Sequence, residues 1–261
     1  MRIDLEGKVA VVTGATGQLG RVMIRTLAEC GADVVIHYAR NKAKAEELAA
    51  EVIKIGGRAL TARADVTDFA SVQRMARRVT REWADADIIV NNAVIQYNWT
   101  TILEQKVSDY ESQFRSCVLH NLHMAKCFLP GMIRKGAGRV IGINTECTLQ
   151  CWPSQSAYVS GKHGMNGLLQ VMAKEVGAHG ITVNQVAPGW MLSDRDRALE
   201  AAGKTPQDAE RKYAAMLPLK HRGEDQDIAN VVAFLASDLA KFITGAFIPV
   251  NGGGATLPAW A

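Results

Sequence analysis

KVAVVTGATGQLGRVMIRTLAECGADVVIHYA, residues 8–39, decides the fold. The β-branched run at its start reads as a buried strand, and glycines at 14, 17 and 20 separate that run from an amphipathic stretch closed by Gly31. ADVVIHYA then supplies a second strand. Two parallel strands joined by a helix need a right-handed crossover, which this order provides. The glycines have a chemical use as well. Backbone must turn tightly there and approach a pyrophosphate, while the helix N-terminus offers unpaired N–H groups and a partial positive charge. Strand, turn and helix in that order read as a dinucleotide cradle, built from Gly14, Thr16, Gln18, Leu19 and Gly20.

The same alternation continues outward from this unit. NKAKAEELAAEVIKIGG reads as a helix, RALTARADV as a strand, TDFASVQRMARRVTREW as a helix and ADIIVNNA as a strand. A helix through YESQFRSCVLHNLHMAKCFLPGMI leads to the strand GRVIGIN, the helix AYVSGKHGMNGLLQVMAKEVGAHG and the strand ITVNQVAPG. DQDIANVVAFLASDLAKF and GAFIPVNGG complete the series. No Pro/Gly/Ser linker divides the chain and no internal repeat stands out. The pattern predicts an α/β protein with a doubly wound parallel sheet. It forms one Rossmann-type domain over residues 1–261, with a helical excursion around 193–217 that covers the site.

Composition narrows the function. Hydrophobic residues make up 48% of the chain and charged residues 21%, proportions that leave no segment reading as disordered. The net charge of +4 is spread without a long basic block, which argues against nucleic acid as a partner. Arg74, Arg77, Arg78 and Arg81 recur at helical spacing and read as a solvated helix face. Five cysteines in a chain of 261 residues point to reduced thiols. Cys147 and Cys151 lack a nearby histidine or second cysteine pair, so no metal site is expected. MRIDLEGKVAVVTG lacks a cleavable signal pattern and no apolar run reaches the length of a membrane span; the expectation is a cytoplasmic protein without a membrane partner.

Cofactor choice turns on the end of the second strand. An acidic residue there would hydrogen-bond the adenosine ribose and repel a 2′-phosphate. This chain has His37, Tyr38, Ala39 and Arg40 instead. Arg40 could hold a 2′-phosphate by charge-assisted hydrogen bonds, or it could open the next helix in solvent, so NADP(H) is favoured and NAD(H) stays possible.

QSAYVSGKHG, residues 155–164, places Tyr158 four positions ahead of Lys162, on one helix face. Alone, that is an ordinary surface pair. In company with TGATGQLG, RADV, NNA, HNL, a hydroxyl residue ahead of AYVSGK, APG and FITGAFIPVNGG, the chain resembles the short-chain dehydrogenase/reductase family over essentially its whole length. The resemblance implies a nicotinamide-dependent Rossmann enzyme in which Tyr158 is the acid/base and Lys162 both binds the nicotinamide ribose and tunes the phenol. Chemistry agrees: an unperturbed phenol titrates near pH 10, and a neighbouring ammonium favours phenolate.

By the same resemblance Thr145 takes the place of the serine that bonds the substrate oxygen, and Asn121 matches the asparagine that anchors a water chain to the lysine. Asn92, Ala93, Asp65, Val66, Pro188, Gly189 and Ser193 fall at cofactor positions, together with Tyr38. Departures stand at Thr145, at Val94 where glycine is usual, at Ser193 where threonine is usual, and at Gln18, which occupies the commonest place of the middle glycine. The implied reaction is hydride transfer interconverting a ketone and a secondary alcohol, with a small-molecule carbonyl or alcohol as substrate.

AKEVGAHGITVNQVAPG and VNGG are most similar to the 3-oxoacyl-(acyl carrier protein) reductase branch. Arg134, Lys135 and Arg139 could attract an acidic carrier, and solvated charge near a helix end accounts for them equally. The pocket is expected from VIQYNW after Ala93, ECTLQCW after Thr145 and Trp190, among them Gln96, Asn98, Gln150 and Trp152, a mix of indoles and amides that also suits a sugar or polyol. A non-catalytic nucleotide sensor is the reading of another class, against which Tyr158, Lys162 and Asn121 all stand intact. The resemblance further implies a homotetramer, with the apolar tail ATLPAWA against a neighbour.

Overall fold

The computed structural model describes residues 3–192, 194–203 and 208–254. Its seven strands are β1 (Val9–Val12), β2 (Asp33–Tyr38), β3 (Ala59–Arg63), β4 (Ile88–Asn91), β5 (Gly138–Ile143), β6 (Ile181–Pro188) and β7 (Phe247–Val250). They pair in parallel in the order β3-β2-β1-β4-β5-β6-β7. The helices are α1 (Gln18–Glu29), α2 (Lys42–Lys54), α3 (Phe69–Glu82), α4 (Val107–Gln113), α5 (His120–Lys135), α6 (Cys147–Gln150), α7 (Ser156–Val176), α8 (Asp194–Ala201), α9 (Asp208–Met216) and α10 (Asp225–Ala236).

Side chains alternate across each strand, so the sheet has two buried faces. Ala10, Val12, Ile36 and Ile143 pack with Met23, Leu27, Leu48, Ile228 and Val232 of α1, α2 and α10. Val9, Val11, Ile89 and Val140 face the other layer, where Val72, Met124 and Leu169 of α3, α5 and α7 meet them. Each such fully buried side chain contributes about 1.5–3 kcal/mol, which is why the apolar stripe rather than helix propensity sets these helices in place. Asn41 and Asp68 cap α2 and α3 by accepting backbone N–H bonds, and Gly31, Gly56 and Gly136 leave their helices with positive φ.

The expected unbroken helix through residues 110–133 is divided. A π-helical segment, Phe114–Leu119, separates α4 from α5. At that point Asn121 Nδ2 donates to the Cys117 carbonyl at 2.6 Å, and a side chain taking an i−4 carbonyl competes with the backbone ladder. The short helix α6 was not legible in the pattern. The excursion after β6 does contain helices, α8 and α9, whereas Ser193 and the tail ATLPAWA lie outside the described residues.

Among the described residues no helix is long and apolar enough to cross a membrane. Arg134, Lys135 and Arg139 are paired with Asp85, Asp87 and Asp238, around the sheet edge where β5 begins. Arg78 and Arg81 both bond Glu82 on the surface of α3.

Candidate active site

The site lies beyond the carboxyl ends of the strands, where β1 stands between β2 and β4 and the chain order reverses. Backbone at the end of β1 turns through Gly14, whose φ is +63°. The space around the glycines is spoken for. A Cβ on Gly20 would stand 2.3 Å from the Gly14 carbonyl oxygen, and one on Gly14 would stand 3.0 Å from Ala93 Cα. Helix α1 begins after Gly17 with no side-chain cap, so its first N–H groups face the turn unclaimed by a side chain. This cradle fits a pyrophosphate.

Two neighbours hold the cradle's shape. His37, 1% exposed, accepts the Gly14 N–H through Nδ1 at 2.9 Å, and its Nε2 faces the Ala64 carbonyl at 3.1 Å. Burial pushes its pKa down to about 4. From β4, Asn92 Nδ2 donates to the carbonyls of Thr13 at 2.9 Å and Gly14 at 3.2 Å, while the N–H groups of Asn92 and Ala93 both donate to Thr13 Oγ1. Thr16 and Leu19 are half-buried at the turn. Gln18 is engaged elsewhere: its Nε2 donates at 2.7 Å to the Leu192 carbonyl and at 2.7 Å to Asp225. Its side chain fastens the turn to the segment after β6, a use its place in the glycine motif did not suggest.

Tyr38, Arg40, Asp65 and Val66 gather at the ends of β2 and β3. Tyr38 and Val66 are buried and Arg40 is exposed. Hydrogen bonds from Thr67 hold the Asp65 carboxyl below the usual carboxylate range, with Arg40 adding to the effect.

Helix α7 carries Tyr158 and Lys162, and both are brought beside Thr145 at the end of β5. Thr145 Oγ1 accepts the Cys147 N–H at 3.2 Å and stands near enough to the Tyr158 phenol to act on its titration. Lys162, 4% exposed, donates from Nζ to the Ile143 carbonyl at 2.6 Å and stands 5.7 Å from the centroid of the Tyr158 ring. Burial pushes the Lys162 ammonium below its ordinary value. It also pushes the Tyr158 phenol well up, the Cys147 and Cys117 thiols add to the rise, and only Thr145 pulls it back. The phenol-lowering effect expected of Lys162 is not among the causes acting on Tyr158 here, and the cost of desolvating a phenolate dominates. Asn121, 1% exposed, accepts from Asn91 Nδ2 at 2.7 Å through its side-chain oxygen.

Thr145, Tyr158 and Lys162 line a cavity of about 720 Å³. Gln96, Gln150, Trp152 and Trp190 line it too, as do Gln18, Leu19, Asn92, Pro188 and Gly189 from the cradle side. Asn144 escaped the sequence reading as a pocket residue, whereas Tyr97, Trp99 and Glu146 lie in the stretches expected to wall the pocket and only their particular contacts are new. Asn144 bonds the Lys162 carbonyl and Gln185, and its own side-chain oxygen takes the Thr145 N–H. Tyr97 places its hydroxyl 2.8 Å from the Tyr158 N–H, supplying α7 with the cap that Gln155 does not, and Trp99 stacks on the Tyr158 ring at 5.9 Å. Glu146 is 3% exposed and accepts from Tyr213 at 2.5 Å and Asn251 at 3.1 Å. A buried polar residue at a strand end, Asn144 or Glu146, is the one signal of this kind a sequence offers.

Comparison with known proteins places this geometry. The family model described as enoyl-(acyl carrier protein) reductase matches residues 14–255. The 3-oxoacyl-[acyl-carrier-protein] reductase FabG of Staphylococcus epidermidis is 36% identical over 246 residues, covering 94% of this chain and 98% of that protein. Its namesake from Escherichia coli (strain K12) is 34% identical over 251 residues, covering 96% and 98%. A gluconate 5-dehydrogenase from Burkholderia cenocepacia, solved in complex with NADP and tartrate, superposes with a TM-score of 0.89 at 28% identity over 98% of each chain. A match that runs from the phosphate turn past the last strand, on this sheet order, makes the chain a member of the short-chain dehydrogenase/reductase family and an NAD(P)-dependent oxidoreductase acting on CH–OH groups.

Proposed function

We propose that this chain is an NADP(H)-preferring ketoreductase whose substrate is of the 3-oxoacyl thioester kind. The observation that carries the reading is the convergence of the Thr145 hydroxyl, the Tyr158 phenol and buried Lys162 on one cavity that the glycine cradle also borders. Relatives named for 3-oxoacyl substrates are 34–36% identical to the chain, against 28% for the gluconate 5-dehydrogenase, so the thioester reading is better supported than a sugar or polyol. The NADP bound in that neighbour's structure and the absence of an acidic residue at the end of β2 support the cofactor preference.

The bound nicotinamide supplies the hydride. The chain's own groups handle the oxygen. Thr145 donates a hydrogen bond to the substrate carbonyl and Tyr158 delivers its phenolic proton there as negative charge develops. The raised phenol suits it to hold that proton in the reductive direction. Lys162 returns charge balance by its ammonium, and Asn121 lies on the path by which a proton is replaced from solvent. Gly14, Thr16, Gly20, Asn92, Ala93, Pro188 and Gly189 shape the cofactor groove, with Leu19 beside them and Gln18 acting through Leu192. Asp65, Val66 and Tyr38 border the adenosine. The chain acts as one unit in which helices α8 and α9 cover the substrate.

The protein works in the cytoplasm as a homotetramer. Exposed Val107, Phe114 and Val171 along the α4–α7 side and Phe242 before β7 support buried faces between subunits. The test is Tyr158→Phe with a 3-oxoacyl thioester and NADPH. Turnover is expected to fall by about 10³-fold while the nucleotide Kd stays unchanged; retained turnover refutes the assignment.

A further inference from the structure

The ends of β2 and β3 emerge side by side, with Tyr38 opposite Arg63 in the register. Arg63 is exposed, and its side chain turns back across the edge so that Nε donates to the Ala39 carbonyl at 3.3 Å. That bond uses one of the five guanidinium donors and fixes the plane of the fork. Neither terminal nitrogen of Arg63 has a hydrogen-bond or ion-pair partner among the described residues. The carbonyl that anchors Arg63 belongs to the residue immediately before Arg40, so two arginines meet at one strand end.

One carboxylate, Asp65, is close enough to Arg40 for each to feel the other's charge. The Asp65 carboxylate is turned to the N–H and hydroxyl of Thr67, at 2.9 and 2.7 Å. Lys42 is paired with Glu46, and Arg58 with Asp33 at the opposite end of β2. Neither Arg40 nor Arg63 is in an ion pair among the described residues, so both guanidinium groups have donors left for an anion. The group that belongs at the end of the second strand is the adenosine ribose. A phosphate on that ribose offers oxygens that two forks can share, and Arg63, already oriented by Ala39, would lose little side-chain freedom in taking one.

We infer that Arg63 is a specificity-determining residue for the cofactor, a second ligand of the 2′-phosphate beside Arg40. This rests on the NADP(H) reading above and adds to it the residue that a single arginine at the β2 end does not provide.

Dissociation constants for NADPH and NADH, read from nicotinamide fluorescence without substrate, test it on the wild type, Arg63→Gln and Arg40→Gln. Arg63→Gln is expected to weaken NADPH roughly tenfold, the worth of about one charge-assisted hydrogen bond, and to leave NADH unchanged. Adenosine 2′,5′-bisphosphate as competitor should lose affinity by the same factor and adenosine 5′-phosphate should not. If Arg40→Gln erases the NADPH preference while Arg63→Gln leaves it whole, Arg63 only stitches the sheet edge and the inference fails with the cofactor reading intact. Equal weakening of both nucleotides in Arg63→Gln overturns it likewise. A wild type that does not favour NADPH overturns the cofactor reading itself.

Discussion

Acidification should loosen the tie that His37 makes between the phosphate turn and β3. The imidazole accepts the Gly14 N–H on Nδ1, so its proton sits on Nε2 toward Ala64; the Gly14 bond depends on the neutral ring, whereas the Ala64 bond survives protonation. Burial lowers the folded-state pKa from 6.5 to about 4, offset only in part by the Ala64 bond and the charge of Asp65. Between those values the unfolded chain binds a proton that the folded chain refuses. Stability from this group is therefore complete above pH 6.5, declines as pH falls and is lost by the folded pKa. Each pH unit across the interval is worth about 1.4 kcal/mol, so moving from pH 7 to pH 5 should remove about 2 kcal/mol. That is a large part of the roughly 5–15 kcal/mol by which domains are stable.

The assay is urea unfolding of the wild type and of His37→Gln at pH 7, 6 and 5. Glutamine can accept from Gly14 and donate toward Ala64 without titrating. Carboxylates and the buried His120, whose pKa is about 3, titrate in both proteins, so the difference isolates His37 and the small charge effects it exerts on Asp65 and His120. The variant should gain on the wild type by about 2 kcal/mol over those two pH units. Parallel pH dependences in the two proteins would refute the reasoning, whatever their absolute stabilities.

Two further outcomes follow from geometry. Gly20→Ala puts a Cβ 2.3 Å from the Gly14 carbonyl oxygen and 2.8 Å from Ala15 Cα, so the turn must shift. Nucleotide titration should show NADPH and NADH weakened together by more than about tenfold, with a loss of roughly 1–3 kcal/mol in unfolding; an unchanged Kd contradicts the cradle as described. Tyr97→Phe removes the acceptor that caps α7 at the Tyr158 N–H. A drop of about 1 kcal/mol in stability is expected, together with a several-fold lower kcat at little changed KM. A melt and a rate indistinguishable from the wild type would show that Trp99 and the cavity wall position Tyr158 without it.

What could be read from the sequence followed what is local. Buried strands announce themselves as β-branched runs, and the period of apolar residues in α1 or α3 gives the helix before any contact is known. Tyr158 and Lys162 are one turn apart, so their juxtaposition needs only a helix. Contacts between distant residues leave no such trace. Gln18 meets Leu192 and Asp225, and Tyr97 meets Tyr158, because the strand order brings these loops to one edge. The π-helical segment was missed because apolar residues in YESQFRSCVLHNL keep a helical spacing on either side of it. The raised Tyr158 phenol was missed for another reason: its charge partner is visible in the sequence, whereas the depth of its burial is not.

The strand order also bears on how the chain comes to be folded as it is made. β2 and β3 add in turn to one side of β1, β4 takes the other side, and β5, β6 and β7 extend that side in sequence. Every newly synthesised strand therefore docks on an open edge, and none has to wedge between two already paired. Synthesis at about 5–20 residues per second leaves the nucleotide-cradling strands β1 to β4 exposed for several seconds before Tyr158 exists. During that interval the edge of β4, with Ile88–Asn91 unpaired, is what a holdase or a stray strand would find first.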